Sequence, residues 1–89
     1  MLKILADHRE DKSVIRELVK RKLIVEIKQL KTADYIILEN NLPLVGIERK
    51  TTYDFLNSII DKRIINQIKT LKENFELPLI ILEGQDNLY

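Results

Sequence analysis

The densest concentration of reactive side chains is the run Val45-Gly46-Ile47-Glu48-Arg49-Lys50. Side chains alternate along a strand, so Val45, Ile47 and Arg49 share one face and Gly46, Glu48 and Lys50 the other. The first set opens apolar and belongs to a core. The second sets a carboxylate and an ammonium about 7 Å apart along one edge, and Gly46 beside them leaves room for a ligand. Charge on both faces of an otherwise apolar strand is costly, and function is the usual reason for it.

Asp34 opens the preceding run, Asp34-Tyr35-Ile36-Ile37-Leu38-Glu39, which is rich in β-formers. Antiparallel pairing of the two runs brings the start of the first opposite the end of the second and sets Asp34 beside Glu48 and Lys50. Two carboxylates and a main-chain carbonyl are hard oxygen donors suited to Mg²⁺ or Mn²⁺. A nearby lysine can orient or deprotonate water, or neutralise charge on a phosphate. Together these are the parts of metal-assisted phosphodiester hydrolysis. A plainer reading stands beside it: Glu-x-Lys on a strand is commonly a solvated ion pair worth ~0–1 kcal/mol. Spacing alone does not choose between the two.

The elements that must position these groups follow from periodicity. Residues 2–6 are a short apolar run closed by the polar cluster Asp7-His8-Arg9-Glu10. Ile15, Leu18 and Val19 then recur at helical spacing, with Asp11 or Ser13 as the starting cap. Lys20-Arg21-Lys22 mark the end of this helix, where cations suit its dipole. Residues 24–30 alternate as a half-buried strand. Asn40-Asn41 make a turn between residues 34–39 and 44–50, which therefore form an antiparallel hairpin.

From Thr52 the spacing becomes helical, with Phe55, Leu56, Ile59 and Ile60 as one apolar stripe interrupted by Asp61-Lys62-Arg63. A further helix carries Ile64, Ile68, Leu71 and Phe75, and Pro78 starts a last apolar run ended by Glu83-Gly84. The order strand, helix, three strands, two helices, strand predicts an α/β domain with a central mixed sheet flanked by helices on both faces. Only a short polar tail follows the last strand, and a complete domain would cover that edge. Residues 1–89 thus read as one domain truncated at its C-terminus.

At 89 residues the chain buries roughly 60% of its unfolded surface, enough for one core. It has 45% hydrophobic and 33% charged residues, the balance of an ordinary globular protein. It contains no cysteine, which excludes disulfides and cysteine-based zinc sites and fits an intracellular setting. No apolar run approaches the ~20 residues that span a bilayer, and the charged N-terminus is unlike a signal peptide, so no membrane partner is expected. The net charge is +1, less basic than a free-standing DNA binder usually is. A nucleic-acid ligand is compatible with this charge only if the acidic residues are gathered at a metal site or another domain supplies most of the affinity.

The sequence resembles the XPF/Hef nucleases, structure-specific endonucleases of archaea and eukaryotes. Their signature, Gly-Asp followed after a variable gap by Glu-Arg-Lys-x-x-x-Asp, is matched by Ala33-Asp34 and Glu48-Arg49-Lys50-Thr51-Thr52-Tyr53-Asp54. An upstream Asp-x-Arg-Glu is matched by Asp7-His8-Arg9-Glu10, and downstream features by Ser58-Ile59, Asp61-Lys62-Arg63 and Gln67. The apolar strand ending in Glu83-Gly84 is also similar, so the likeness runs through essentially the whole chain.

The resemblance implies a restriction-endonuclease-like fold and metal-dependent cleavage of branched DNA at 3′ flaps or forks. It implies that Asp34 and Glu48 hold Mg²⁺ or Mn²⁺, with Asp7 as a further metal ligand, and that Lys50 acts on the attacking water. Asp7, Arg9 and Glu10 would line the same cleft, and Arg49 and Asp54 complete the signature. It implies a homodimer or heterodimer in the full-length protein, with a helix-hairpin-helix domain or a sliding clamp contributing DNA affinity. The location would be cytoplasmic in an archaeon and nuclear in a eukaryote. The rival is a non-catalytic DNA-binding or scaffold subunit of a nuclease complex with the same fold.

Several residues admit two readings. Asp54 follows Thr51 in a Thr-x-x-Asp pattern and either caps a helix or orients Lys50 or Arg49. Arg49 is either a phosphate clamp or the ion-pair partner of Asp7 or Asp54, the second being preferred. Arg63, Lys62, Gln67 and Lys69 lie on or beside the last helix, where they can meet a DNA backbone. His8 reads as an incidental loop residue, and Glu83 as a strand-end carboxylate. Ala33 and Lys62 stand where the family has glycine. If either position needs a positive φ, a side chain there costs about 1 kcal/mol.

Overall fold

A computed structural model describes residues 1–84, and the expected polar tail, residues 85–89, lies outside the described residues. The strands are β1 (Leu2–Asp7), β2 (Val25–Lys28), β3 (Tyr35–Glu39), β4 (Leu42–Thr51) and β5 (Leu77–Glu83); the helices are α1 (Lys12–Lys20), α2 (Thr52–Ile60) and α3 (Arg63–Asn74). This is the order expected from periodicity. Among the described residues, no helix is long and apolar enough to cross a membrane.

The strands form one mixed sheet in the order β2-β1-β3-β4-β5. β1 pairs in parallel with β2 and β4 with β5, whereas β3 runs antiparallel to both of its neighbours. β1 and β4 therefore point the same way, and their crossovers leave in opposite directions. Crossovers of one hand must then lie on opposite faces of the sheet. Accordingly Ile15 of α1 joins Ala6, Tyr35 and Ile47 on one face. Leu71 and Phe75, from the end of α3, join Ile36, Leu30 and Ala33 on the other.

Local chemistry fixes the connections. Asn40 and Asn41 take φ of 51° and 68° between the paired residues Glu39 and Leu42. That is the two-residue loop whose twist matches a hairpin. Asp11 caps α1 by accepting from the Ser13 N–H at 2.9 Å. Lys22, at φ 66°, ends the helix by donating to the Val19 carbonyl at 2.9 Å, so the basic run does mark the helix end.

One expectation is corrected, and one apolar stripe proves to be largely exposed. Gly46 does not leave room for a ligand: a Cβ on it would lie 2.0 Å from Cδ2 of Phe75, so the missing side chain admits the Phe75 ring. The apolar stripe of α2 is not its buried face. Ser58 is fully buried and donates to the Phe55 carbonyl at 2.7 Å, while Leu56, Ile59 and Ile60 are exposed. Helical periodicity finds an apolar face but not what covers it.

Candidate active site

All the residues singled out by type and spacing near the strand ends belong to one end of the sheet. Strand directions make this unavoidable, since the C-terminal ends of β1, β4 and β5 coincide with the start of β3. Asp34 precedes β3 and extends its ladder. Its N–H donates to the Ile47 carbonyl at 2.8 Å, and its Oδ2 accepts from the Arg49 N–H at 2.8 Å. The register pairs Tyr35 with Ile47, so alternation puts Asp34 and Glu48 on the same side, toward α3. The two carboxylates line one cleft of ≈ 310 Å³ together with Arg9 and Ala33.

The cleft has two further walls that the sequence reading only partly identified. The β2–β3 connection contributes Leu30, Lys31 and Thr32, and α3 contributes Asn66, Gln67 and Thr70. Gln67 was expected; Asn66 and Thr70 were not. Their signal was present, because positions 63, 66, 67 and 70 fall on one helical stripe that is polar throughout. The Gln67 Oε1 is buried without a hydrogen-bond partner among the described residues.

Electrostatics make the acidic pair uncomfortable. Burial pushes the Glu48 carboxyl above its ordinary range, the Asp34 charge adds to this, and Lys50 partly offsets it. Glu10 is raised in the same way, first by burial and then by Asp34, against the opposing charge of Arg49. Among the described residues neither Asp34 nor Glu48 has an ion-pair partner. A cation placed between them would relieve the repulsion.

Asp7 plays a different part from the one expected of it as a metal ligand. It is 1% exposed, and both of its oxygens are occupied by protein donors. Oδ1 accepts from the Leu30 N–H at 2.7 Å, and Oδ2 accepts from the Arg9 N–H at 3.2 Å and from Arg9 Nε at 2.8 Å. Burial would raise its pKa, yet these hydrogen bonds and the Arg9 charge bring it down to about 2. Asp7 thus ties the end of β1 to the loop carrying Lys31 and Thr32. Among the described residues no group of three histidine or acidic side chains is placed to hold a metal ion. The carboxylates left in the cleft are Asp34 and Glu48.

Arg49 is an ion-pair residue, but its partners are neither Asp7 nor Asp54. Nη1 donates to Glu10 Oε1 at 2.9 Å and Nε to Glu83 Oε1 at 2.8 Å. Only 21% of the side chain is exposed, and it lies on the face opposite the cleft. A phosphate clamp is therefore corrected to a structural link, and Glu10 is drawn with it. Asp54 is exposed in the first turn of α2, and its N–H donates to Thr51 Oγ1 at 3.1 Å. The capping reading accounts for it. Arg63 is held by Asp61 at 2.8 Å, beside Lys62 at the entry to α3, on the helix that carries Gln67 into the cleft. Lys50 shares the Glu48 side of β4 but does not line the cleft.

The profile of the ERCC4 domain matches residues 6–89. The chain belongs to the ERCC4-domain family. It is 41% identical over 88 residues to the 3′-flap repair endonuclease Xpf of Saccharolobus solfataricus, covering 98% of this chain and 36% of that protein. It is 41% identical over 85 residues to a putative ATP-dependent RNA helicase of Methanocaldococcus jannaschii, covering 96% of this chain and 10% of that protein. Among solved structures, XPF from Aeropyrum pernix matches with a TM-score of 0.76 and 32% identity over 92% of this chain and 37% of that one. The same protein in complex with DNA gives 0.78 and 34% over 94% and 40%. The XPF likeness and the restriction-endonuclease-like fold expected from the signature are thereby borne out. The chain spans little more than a third of these XPF proteins.

Ala33 and Lys62, the two positions where the resembled XPF/Hef signature has glycine, differ in backbone conformation. Ala33 is not among the residues of positive φ and is buried in the core beneath the cleft, so it brings no strain. Lys62 does adopt φ 65°, where a side chain is disfavoured. The acidic pair fits a hard divalent cation: both donors are carboxylates, neither is ion-paired among the described residues, and they line the same cleft.

Proposed function

We propose that this ERCC4 domain, residues 1–89, is the nuclease portion of a longer structure-specific endonuclease that hydrolyses a phosphodiester bond in branched DNA. The observation that supports this reading is that Asp34 and Glu48, on neighbouring strands and without an ion-pair partner among the described residues, line one cleft. The name of the Saccharolobus relative, a 3′-flap repair endonuclease, supports 3′ flaps and forks as the substrate class. Asp34 and Glu48 would hold Mg²⁺ or Mn²⁺. The chemistry supplied by such a cation is activation of water and neutralisation of charge on the phosphate.

The chain's own residues do the rest. Lys50 orients the attacking water and offsets charge near Glu48. Arg9, Lys31 and the α3 stripe of Asn66, Gln67 and Thr70 offer donors to a sugar-phosphate strand in the cleft. Arg63 and Lys62, at the entry to the same helix, extend that contact. Such contacts position DNA without reading sequence. With a net charge of +1, affinity would come in part from a partner: a second subunit, a helix-hairpin-helix domain or a sliding clamp. The exposed Leu56, Ile59, Ile60 and Ile65 favour a dimer contact by α2 and α3.

Cleavage of a 3′-flap duplex with Mg²⁺, with and without chelator, tests the reading on wild type, Asp34→Ala and Lys50→Ala. Cutting only by wild type, and only with metal, is expected; equal cutting by all three would sink it. The two-carboxylate donor set leaves one rival, a DNA-binding scaffold of the same fold that does not cut. Such a scaffold would bind flap DNA with no Mn²⁺ site dependent on Asp34.

A further inference from the structure

Arg49 sends its side chain to the sheet face away from the cleft, where it joins parts of the chain that the sheet keeps far apart. Glu10 follows β1, and Glu83 ends β5, the edge strand. Between them lie β3 and β4, and Arg49 reaches both carboxylates at once. Tyr35 belongs to the same place. It pairs with Ile47, so its ring shares a face with Ile47 and, two residues on, with Arg49. Tyr35 is 6% exposed, and its hydroxyl is buried with no hydrogen-bond partner among the described residues. Burial and the neighbouring Glu10 charge push its pKa up to about 12, which keeps it a neutral donor beside Glu10 and Arg49.

The same residue holds the catalytic side through its main chain, since the Arg49 N–H is the donor to Asp34 Oδ2. Strand ends fray unless something fixes them. Here a guanidinium with several fixed donors binds two carboxylates from separate segments.

We propose that Glu10, Arg49, Glu83 and Tyr35 form a clasp that fixes the Glu48–Arg49 peptide, and through its N–H the Asp34 carboxylate, so that Glu83 and Tyr35 are positioning residues for the acidic pair. The proposal rests on the reading of Asp34 and Glu48 as that pair. It separates two functions within adjacent residues: Glu48 faces the reaction, and Arg49 holds the frame from behind. Glu83 is half-exposed and otherwise looks like an ordinary surface carboxylate.

The test uses the full chain with Glu83→Ala, Glu83→Gln, Tyr35→Phe and Asp34→Ala. Three quantities are read: amide hydrogen exchange along β4, Mn²⁺ affinity by calorimetry, and kcat and KM on a 3′-flap duplex. Glu83→Ala should speed exchange at the Arg49 amide by at least ~10-fold relative to the amides of Val45 and Ile47. It should weaken Mn²⁺ binding by about 10-fold, as loss of a supporting partner does at metal sites, and lower kcat with KM unchanged. Glu83→Gln, which keeps an oxygen acceptor, should recover part of each effect, and Tyr35→Phe should show them more weakly. Exchange at Arg49 that is unchanged in Glu83→Ala, or rises only in step with the rest of β4, overturns the clasp. If Asp34→Ala also loses Mn²⁺, the clasp alone has failed. Wild-type Mn²⁺ affinity in Asp34→Ala would instead overturn the acidic pair, and the clasp with it.

Discussion

The main-chain N–H of Arg49 donates to Oδ2 of Asp34 at 2.8 Å, and among the described residues Oδ1 of that carboxylate has no protein donor. One oxygen is structural and the other is free for a ligand. The two contributions of Asp34 can therefore be separated by substitution.

Asp34→Asn keeps an oxygen to accept from Arg49 but loses the charge. Its thermal stability should stay within about 0.5 kcal/mol of wild type, while Mn²⁺ affinity falls by at least ~10-fold, because ligand charge sets affinity at oxygen sites. Asp34→Ala should lose the same affinity and also ~1–3 kcal/mol of stability, having orphaned the Arg49 N–H. Calorimetric titration with Mn²⁺ and thermal unfolding check both. An Asn variant that binds Mn²⁺ like wild type would remove Asp34 from the donor set.

Gly46 and Phe75 make a second pair whose coupling can be measured. A Cβ at position 46 meets the ring at 2.0 Å, so Gly46→Ala should cost ~1–3 kcal/mol through overpacking. Phe75→Leu relieves the contact, and the double variant should be more stable than the sum of the singles by about 1 kcal/mol. Denaturant unfolding of the four proteins gives the coupling. Strict additivity would mean that glycine is there for another reason.

These cases show what the sequence made legible. Antiparallel pairing brought the start of one run to the end of the other without any knowledge of the fold, but it did not give the register. The turn pairs Glu39 with Leu42, which alone would set Asp34 opposite Ile47, and a bulge between Ile37 and Leu38 shifts the ladder so that Asp34 meets Glu48. Strand alternation placed Arg49 on the opposite face but could not name its partners. Glu10 and Glu83 are 39 and 34 residues away in sequence, and sheet order alone brings them together. Asp7 was misjudged for a related reason: a carboxylate that receives main-chain N–H groups looks, as a letter, like one that faces a cation. Gly46 was read from its missing side chain, while the group that fills the space, Phe75, lies on a helix end. Tyr35 went unnoticed because a tyrosine in a strand satisfies β-propensity before any other role is considered.

Lys62 carries a backbone cost that its side chain offsets only if it serves DNA. At φ 65° the change Lys62→Gly should raise stability by ~0.5–1 kcal/mol. If the ammonium meets a phosphate, the same change should weaken flap-DNA binding and reduce the salt slope by about one charge. Thermal unfolding and binding titrations across salt concentrations separate the two effects. A variant that is less stable would contradict the strained backbone. An unchanged salt slope would remove Lys62 from the DNA surface.

Asp7 predicts a distinct acid response. Its pKa in the folded chain, about 2, lies below the ordinary 3.8 because donors from Leu30 and Arg9 outweigh burial. The stabilisation is therefore fully present above about pH 4 and is lost as pH falls through about 2. Asp7→Asn still accepts from the Leu30 N–H through its amide oxygen, but turns an amide N–H₂ toward the Arg9 donors. It should cost ~1–3 kcal/mol at neutral pH, with a gap to wild type that narrows toward acid as wild-type Asp7 takes up its proton. Urea midpoints at pH 7, 4 and about 2.5 measure that gap. A difference that stayed constant over the series would mean that the Asp7 carboxylate is not held as an anion by Leu30 and Arg9. The loop carrying Lys31 and Thr32 would then need another anchor.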